Sequence, residues 1–433
     1  MIRPSPPITN LRLPSFLTSL LLLTLAALFT LSSARADEFH YNDVFMGPRA
    51  SGLAGTMIGL ADDPSSAYYN PAGLARARNT TVTVSTTALL GKQLAVGDLL
   101  EMRSTVAFSP AGITTTQAGS GNIAFMALSP SNDAYQVDRT FEGDELVSAR
   151  MNIERSDSSY LVGLSYGVNI GRDIDLGVGV GYLYSSQSMK YSTFSHYRTP
   201  LEDGAIAIDL DQTQRGIQHG LMLLAGILWH PMGIDGPLRI GASMRTGVNV
   251  STSASLQETT FRGYEQRPSS GGELFYERSS SPNEKKRGAS RTPPMFGLGV
   301  AWRIKPFWVV AADLTFHGYA HYESFGSEVT KLATLNGSIG TEFLMRDGIA
   351  LRLGFFTNRS SAPASVERLT ESWDQYGGTL GATFERSGYA FTFALRYARM
   401  IGETHIDTMD GADARYSVSG RDIGVVFGGS YFF

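Results

Sequence analysis

The chain contains no cysteine, which removes disulfide scaffolds and thiolate metal sites at one stroke. It also lacks a basic excess, since Lys+Arg 36 against Asp+Glu 40 leaves a formal net charge of −4. A nucleic-acid partner calls for a basic face, so that class is excluded as well. Beyond residue 36 no apolar run reaches the roughly 20 residues that a membrane-spanning helix needs. Charged residues are sparse throughout, at 18% of the chain.

Glycine and aromatic residues are what the chain has in quantity: Gly 47, Tyr 19 and Phe 23 in 433 residues. Its start carries an export address. Arg3 and Arg12 precede an apolar run from Phe16 to Leu31, and Ala34 and Ala36 in "SARADE" stand at the spacing a signal peptidase reads. The sequence predicts a signal peptide over residues 1–36, with cleavage after Ala36. A membrane anchor is the alternative, but the run is short and a small-residue site follows it. Removal takes away Arg3, Arg12 and Arg35 and no acid, making the net charge more negative still. Exported, cysteine-free, glycine-rich and aromatic is the profile of an outer-membrane β-barrel.

The hydrophobic period supports it. In "GRDIGVVFGGSYFF" the odd positions read Ile423, Val425, Phe427, Gly429, Tyr431 and Phe433, a strict period of two. In "GYAFTFALRYARM" Tyr389, Phe391, Phe393, Leu395 and Tyr397 form one face, and Ala390, Thr392, Ala394 and Arg396 the other. In "IDLGVGVGYLY" Ile174, Leu176, Val178, Val180, Tyr182 and Tyr184 oppose Gly177, Gly179 and Gly181. Aromatic residues fall at strand ends, where membrane barrels carry girdles.

A soluble sandwich alternates too, so loop lengths decide. About 14 strands are predicted, an even number, beginning at 79–90, 104–111 and 121–129 and ending at 421–433. Tight connections at 171–173, 230–236, 305–306, 346–348 and 387–388 alternate with long ones that include 130–157, 188–214, 258–292, 359–375 and 401–420. Short periplasmic turns and long outer loops give this asymmetry, with both chain ends in the periplasm. Pro110 and Gly112 interrupt the second strand and mark an expected irregularity in the wall.

If the barrel starts near residue 79, residues 37–78 must go elsewhere. "GPRASGLAGTMIGLADDPSSAYYNPAGLARA" is too apolar and glycine-rich for a solvated tail. Short helical turns punctuated by Gly55, Gly59, Pro64 and Pro71 fit a compact plug in the lumen, since a barrel of this size has an interior its own side chains do not fill. The glycine lane Gly177, Gly179 and Gly181 would admit its close approach.

Within that segment Ala50, Ser51, Gly52, Leu53, Ala61, Asp62, Asp63, Asn70, Pro71 and Ala72 spell a pattern that resembles the N-terminal hatch of the FadL-type long-chain fatty acid transporters. The resemblance implies a 14-stranded barrel (79–433) plugged by a hatch (37–78). It implies a hydrophobic ligand, fatty acid or hydrocarbon, captured among outer loops, held in the barrel and released sideways beside a kinked strand. Ser51, Gly52, Asp62, Asp63, Asn70, Pro71 and Ala72 are then the hatch or gating residues. The protein would sit in the bacterial outer membrane among its lipids, delivered by the barrel-assembly machinery, with no cofactor.

The alternation also places Asp175, Arg239, Arg245, Asp313, Glu342, Arg352 and Arg396 on inward faces. Arg239, Arg245, Arg352 and Arg396 are candidates to meet a ligand carboxylate, against the plainer role of a neutralising network that braces the hatch. Asp62 and Asp63 read as turn or helix caps, and Asn70-Pro71 as a rigid turn. "GLSYG" matches a hydrolase elbow around Ser165, but it lies in mid-strand, where that elbow cannot form. His317 and His321 would stand about 13 Å apart on a strand, too far to share a metal. Lys285, Lys286, Arg287 and Arg291 form a basic loop suited to lipopolysaccharide phosphates or to solvent. Two other function classes stay open: an assembly barrel serving a secretion or envelope partner, and a lipid-acting barrel enzyme, for which the chain offers no convincing active site.

Overall fold

The computed structural model describes residues 39–77, 80–96, 100–104, 107–141, 146–198, 205–266, 273–280, 284–286, 292–324, 327–345, 348–363, 373–407 and 413–433. The expected signal peptide, Arg287 and Arg291 lie outside the described residues.

Fourteen antiparallel strands close into one barrel: β1 (Thr81–Val96), β2 (Ala107–Ala118), β3 (Gly121–Phe141), β4 (Leu146–Asn169), β5 (Ile174–Arg198), β6 (Ala205–Trp229), β7 (Leu238–Gln266), β8 (Met295–Lys305), β9 (Trp308–His317), β10 (Thr334–Leu344), β11 (Ile349–Asn358), β12 (Trp373–Arg386), β13 (Tyr389–Asp407) and β14 (Asp413–Phe432). Each pairs with its sequence neighbour, and β1 closes the ring by pairing β14, Thr81 opposite Phe432. Closure gives every strand of the ring a neighbour on both sides, the condition for strands to cross lipid. Short strands at Leu100–Ser104, Glu273–Ser280 and Glu284–Lys286 extend the sheet at the loop end, and Ala320–Ser324 with Ser327–Lys331 forms a separate hairpin there.

The period of two resolves into an outer and an inner face. Val178, Leu298, Leu380, Phe391 and Phe427 stand exposed on the outside, while Asp175, Asp313, Glu342, Arg352 and Arg396 are buried within. Trp229, Trp302, Phe307, Phe343, Tyr389 and Tyr431 ring the turn end on the outside, as an interfacial girdle does. An apolar belt around a closed barrel with a charged interior is an outer-membrane structure.

Two expectations about the strands change. The second strand is not 104–111 but Ala107–Ala118, because its ladder with β1 runs straight through Pro110 (opposite Thr86) and Gly112 (opposite Val84). Much of the predicted outer loops is strand as well: β4 to β7 have 24, 25, 25 and 29 residues. Strands of 10 or 11 residues, such as β8 to β11, suffice to cross the bilayer. Above the hydrocarbon no lipid demands an apolar face, so stretches such as "SMKYSTFSHYR" (188–198) lose their alternation while the ladder continues.

Candidate functional site

Residues 39–77 lie inside this ring, with contacts reaching wall strands on every side. The segment begins at the loop end, not in the periplasm as expected for both chain ends. There Phe39 is buried with Ala320, Tyr322 and Val329, and its carbonyl accepts hydrogen bonds from Ser361 N and Oγ at 3.0 Å. His40 Nε2 stands 2.7 Å from the carbonyl oxygen of Trp373. Tyr41 stacks on His317 at 4.0 Å. From there the chain descends through three short helical turns, Pro48–Gly52, Ser66–Tyr69 and Pro71–Arg76. At the turn end Arg76 donates to Asp175 at 2.6 and 2.8 Å, and His230 Nε2 lies 2.8 Å from the same carboxylate.

Close approach is possible because the wall is bare where the segment touches it. A Cβ at Gly177 would stand 2.1 Å from the Pro71 carbonyl carbon, and one at Gly226 would stand 2.0 Å from Asn70 Oδ1. Gly167, Gly177 and Gly226 are register partners across β4, β5 and β6. Gly241 and Gly299 pair across β7 and β8 beneath Ile58 and Gly59, and Gly340 and Gly354 pair across β10 and β11 beneath Leu53 and Ala54. The expected lane along β5 is corrected: Gly179 and Gly181 face Ser165 and Leu161 of the wall itself, and only Gly177 meets the segment.

The hatch residues have definite partners. Asn70 Nδ2 donates to the carbonyls of Ile58 (2.9 Å) and Ile227 (3.1 Å), and its Oδ1 accepts from Ala72 N at 3.2 Å. It therefore stitches segment to wall as well as turning the chain into Pro71. Ser51 Oγ donates to the Gly47 carbonyl at 2.9 Å, and Gly52 lies against Arg352 and Gly381. Asp63 does cap, accepting from Ser65 N at 2.8 Å. Asp62 does not: it bridges Arg49 and Arg239. Partial burial alone would raise the Asp62 carboxyl, yet those two guanidinium groups hold it down at about 2. Burial wins at Asp63, raising its carboxyl despite Arg49.

Most inward cations are neutralised locally. Arg239 also donates to the Leu60 carbonyl at 3.0 Å. Arg49 and Arg352 share Glu342, at 2.8 and 2.6 Å, and Arg396 pairs with Asp422. Asp313 accepts the backbone N–H of Ile58 at 2.7 Å. Ser165, buried in β4, donates to the Ala67 carbonyl at 2.8 Å, which ties the segment down. His317 and His321 are engaged separately, the latter with Thr330 Oγ1 at 3.0 Å. Arg245 lies 4.2 Å over the Tyr68 ring, as Arg396 lies 4.9 Å over Phe356.

Two cavities of about 550 Å³ flank Asp62, Asp63 and Pro64 at the turn end, with Arg76, Arg239 and Arg303 lining one and Arg49, Glu342 and Arg352 the other. The second cavity also carries Ile113, Leu344, Met345, Ile349 and Ala350. Val44 and Met46 of the segment join Leu89, Ala107, Ala111, Ile113, Leu128 and Leu161 in one buried cluster. Its wall side is where the barrel ladder is interrupted. Between the pairs Ala111–Leu128 and Ser104–Tyr135, residues 107–110 of β2 pair β1 but have no register partner on β3, whose pairing with β4 shifts between Leu128 and Ser131. Pro110 and Pro130 stand on the two sides of this break, each lacking an N–H to donate. The sequence alone does not mark Pro130, because only its place across the break from Pro110 gives it meaning.

No family model matches the chain, and no curated protein matches it in sequence. Solved structures do match in shape. A Pseudomonas aeruginosa FadL homologue aligns at a TM-score of 0.58 and 15% identity, over 91% of this chain and 100% of that one. The P. putida toluene transporter TodX aligns at 0.56 and 14%, over 91% and 99%. The monoaromatic hydrocarbon channel CymD aligns at 0.56 and 13%, over 91% and 99%. The chain thus has the fold of the FadL-type outer-membrane transporters, whose hatch pattern its residues 50–72 resemble.

Proposed function

We propose that this protein carries hydrophobic compounds, long-chain fatty acids foremost, inward across the bacterial outer membrane. Ligand is captured among the outer loops, bound in the barrel, and released sideways between β2 and β3 when the N-terminal hatch yields. In this reading residues 1–36 are removed, 37–78 form the hatch and 79–433 the barrel. Ser51, Gly52, Asp62, Asp63, Asn70, Pro71 and Ala72 hold the hatch in its closed position. Lipid surrounds the barrel, and the barrel-assembly machinery inserts it.

The observation that carries the proposal is the apolar cluster joining Val44 and Met46 to the interrupted ladder. The straight route to the periplasm is filled by a segment seated on bare glycine backbone, with Arg49, Arg76, Arg239, Arg303 and Arg352 around the cavities at its end. The lateral route starts from this apolar cluster, passes the buried hydroxyls of Ser109 and Ser129 at the break, and opens into lipid, where such a ligand is at home. The transporter and channel sharing the fold are named for hydrocarbon cargo, which supports a hydrophobic ligand here.

The test is uptake of labelled long-chain fatty acid and labelled toluene by cells with and without the protein. Saturable uptake of either that depends on the protein is expected. Equal uptake by both cell types for both compounds would overturn the proposal.

A further inference from the structure

The outer face of β13 and β14 carries two like charges side by side. Arg399 and Arg421 are register partners across these strands, and both are exposed. Their face looks outward: Phe393, Leu395 and Tyr397 stand exposed along β13, while Ala394, Arg396 and Ala398 between them are buried within. Like charges directly opposite one another destabilise a sheet. No carboxylate pairs with either guanidinium among the described residues. Asp422, next to Arg421, faces inward to Arg396, and Asp374 of β12 pairs with Arg359 at 3.4 Å.

The row extends on both sides. Arg421 lies opposite Gln93 of β1, to whose Oε1 its Nε donates at 2.8 Å, and Gln93 lies opposite Arg103 of the short strand Leu100–Ser104. Arg399 lies opposite Tyr376 of β12, which is exposed. The strands fix the height of the row. Tyr389 and Tyr431 are register partners in the girdle at the turn end, and the two arginines stand about ten residues beyond them along each strand, the length needed to cross the hydrocarbon. The row therefore leaves the lipid belt on the loop side, where the outer leaflet presents its headgroups.

We propose that Arg399 and Arg421, with Arg103 further along the row, hold a phosphate of outer-leaflet lipopolysaccharide against the barrel. A phosphate offsets both guanidinium charges, and its oxygens accept their forked donors. The acyl chains of the same molecule lie down the apolar face of Phe393, Leu395 and Tyr397. Charge and apolar surface adjoin along one strand face, which fits a phosphorylated lipid better than a soluble anion. The site depends on neither the cargo nor the hatch.

The experiment measures lipid A binding to the purified protein in detergent by native mass spectrometry. The protein should bind bisphosphorylated lipid A about tenfold more tightly than lipid A stripped of its phosphates, the scale of one charge-assisted contact. Arg399→Glu places a carboxylate opposite Arg421, which favours the sheet but removes the phosphate's seat. That preference should then fall to about one in a barrel that melts no lower than native. Arg399→Lys, a point charge without the fork, should retain part of it. Arg386→Ser removes an exposed arginine at the turn end and should leave the preference intact. Equal native affinity for the two forms of lipid A, or a preference that Arg399→Glu leaves intact, overturns the site. Displacement of lipid A by inorganic phosphate at equal concentration, or equal affinity for phosphatidylglycerol, overturns it too, the first showing a soluble-anion site and the second one for any anionic lipid.

Discussion

Two stretches of the same wall treat the N-terminal segment in opposite ways. From β4 round to β11 inward glycines stand in register rows, and the backbone of the segment lies directly on them. At β2 and β3 the ladder breaks between two prolines and the contact is made by apolar side chains. Backbone seated on backbone lets the segment shift there only as a unit, whereas the contact at β2 and β3 rests on side chains such as Val44 and Met46. In the proposed route the first wall holds the segment and the second is the one that parts.

The largest expected effect breaks the sealed side. Gly226→Ala puts a methyl group 2.0 Å from Asn70 Oδ1 and should destabilise the barrel by about 1–3 kcal/mol through overpacking. Gly112→Ala at the broken side has its nearest atom, the Ala127 carbonyl oxygen, at 3.9 Å and should stay within about 0.5 kcal/mol of native. The temperature at which each variant loses its folded electrophoretic mobility separates them, and equal losses would remove the distinction between the two walls.

A smaller effect is expected from repairing the break. The double variant Pro110→Thr with Pro130→Thr restores two N–H donors and favours a continuous ladder. Uptake should fall severalfold with barrel stability unchanged or raised. Unchanged uptake in a variant whose ladder has closed, read from backbone amide protection, would rule out this exit.

The smallest effect concerns the paired acids of the segment. Asp62 is held at about 2 in the fold, below its ordinary value near 3.9. Its stabilisation is therefore present above pH 4 and is lost only as pH falls toward 2. Asp63 is shifted upward, so its contribution has the opposite sign: it favours the fold in acid and is lost as pH rises through the folded value. Asp62→Asn should loosen the segment at pH 7 by about 1 kcal/mol, as expected of an ion pair that solvent still partly screens, with the deficit shrinking in acid. Asp63→Asn, which keeps an acceptor for Ser65, should be neutral or slightly stabilising at pH 7. Tryptic cleavage at Arg49 and Arg76, measured against pH, reads both.

Legibility in the sequence followed the membrane. Where lipid enforces an apolar face, as along Leu176, Val178 and Val180, the strands could be read directly, and so could their number. Where the wall rises beyond the lipid the pattern faded, and the upper halves of β4 to β7 passed for loops. Local chemistry in the segment was readable too: Asp63 caps as expected. What joins it to the wall was not, because Gly167, Gly177 and Gly226 lie on three strands and become a row only in register. The same holds for Arg245, which reads like the other inward arginines although no carboxylate pairs with it among the described residues. The path of the segment from the loop end downward left no sequence mark, since Phe39, His40 and Tyr41 gain meaning only from the outer hairpin and strand ends they contact.

The most direct test of the account asks whether the segment must yield for cargo to pass. Thr56 Oγ1 of the segment donates to Ser338 Oγ of β10 at 2.9 Å, which suits a disulfide, and the chain has no cysteine of its own to interfere. In the Thr56→Cys, Ser338→Cys variant, uptake of labelled palmitate should be near native when reduced and lost when oxidised. Equal uptake in the two states would contradict a gate made by this segment.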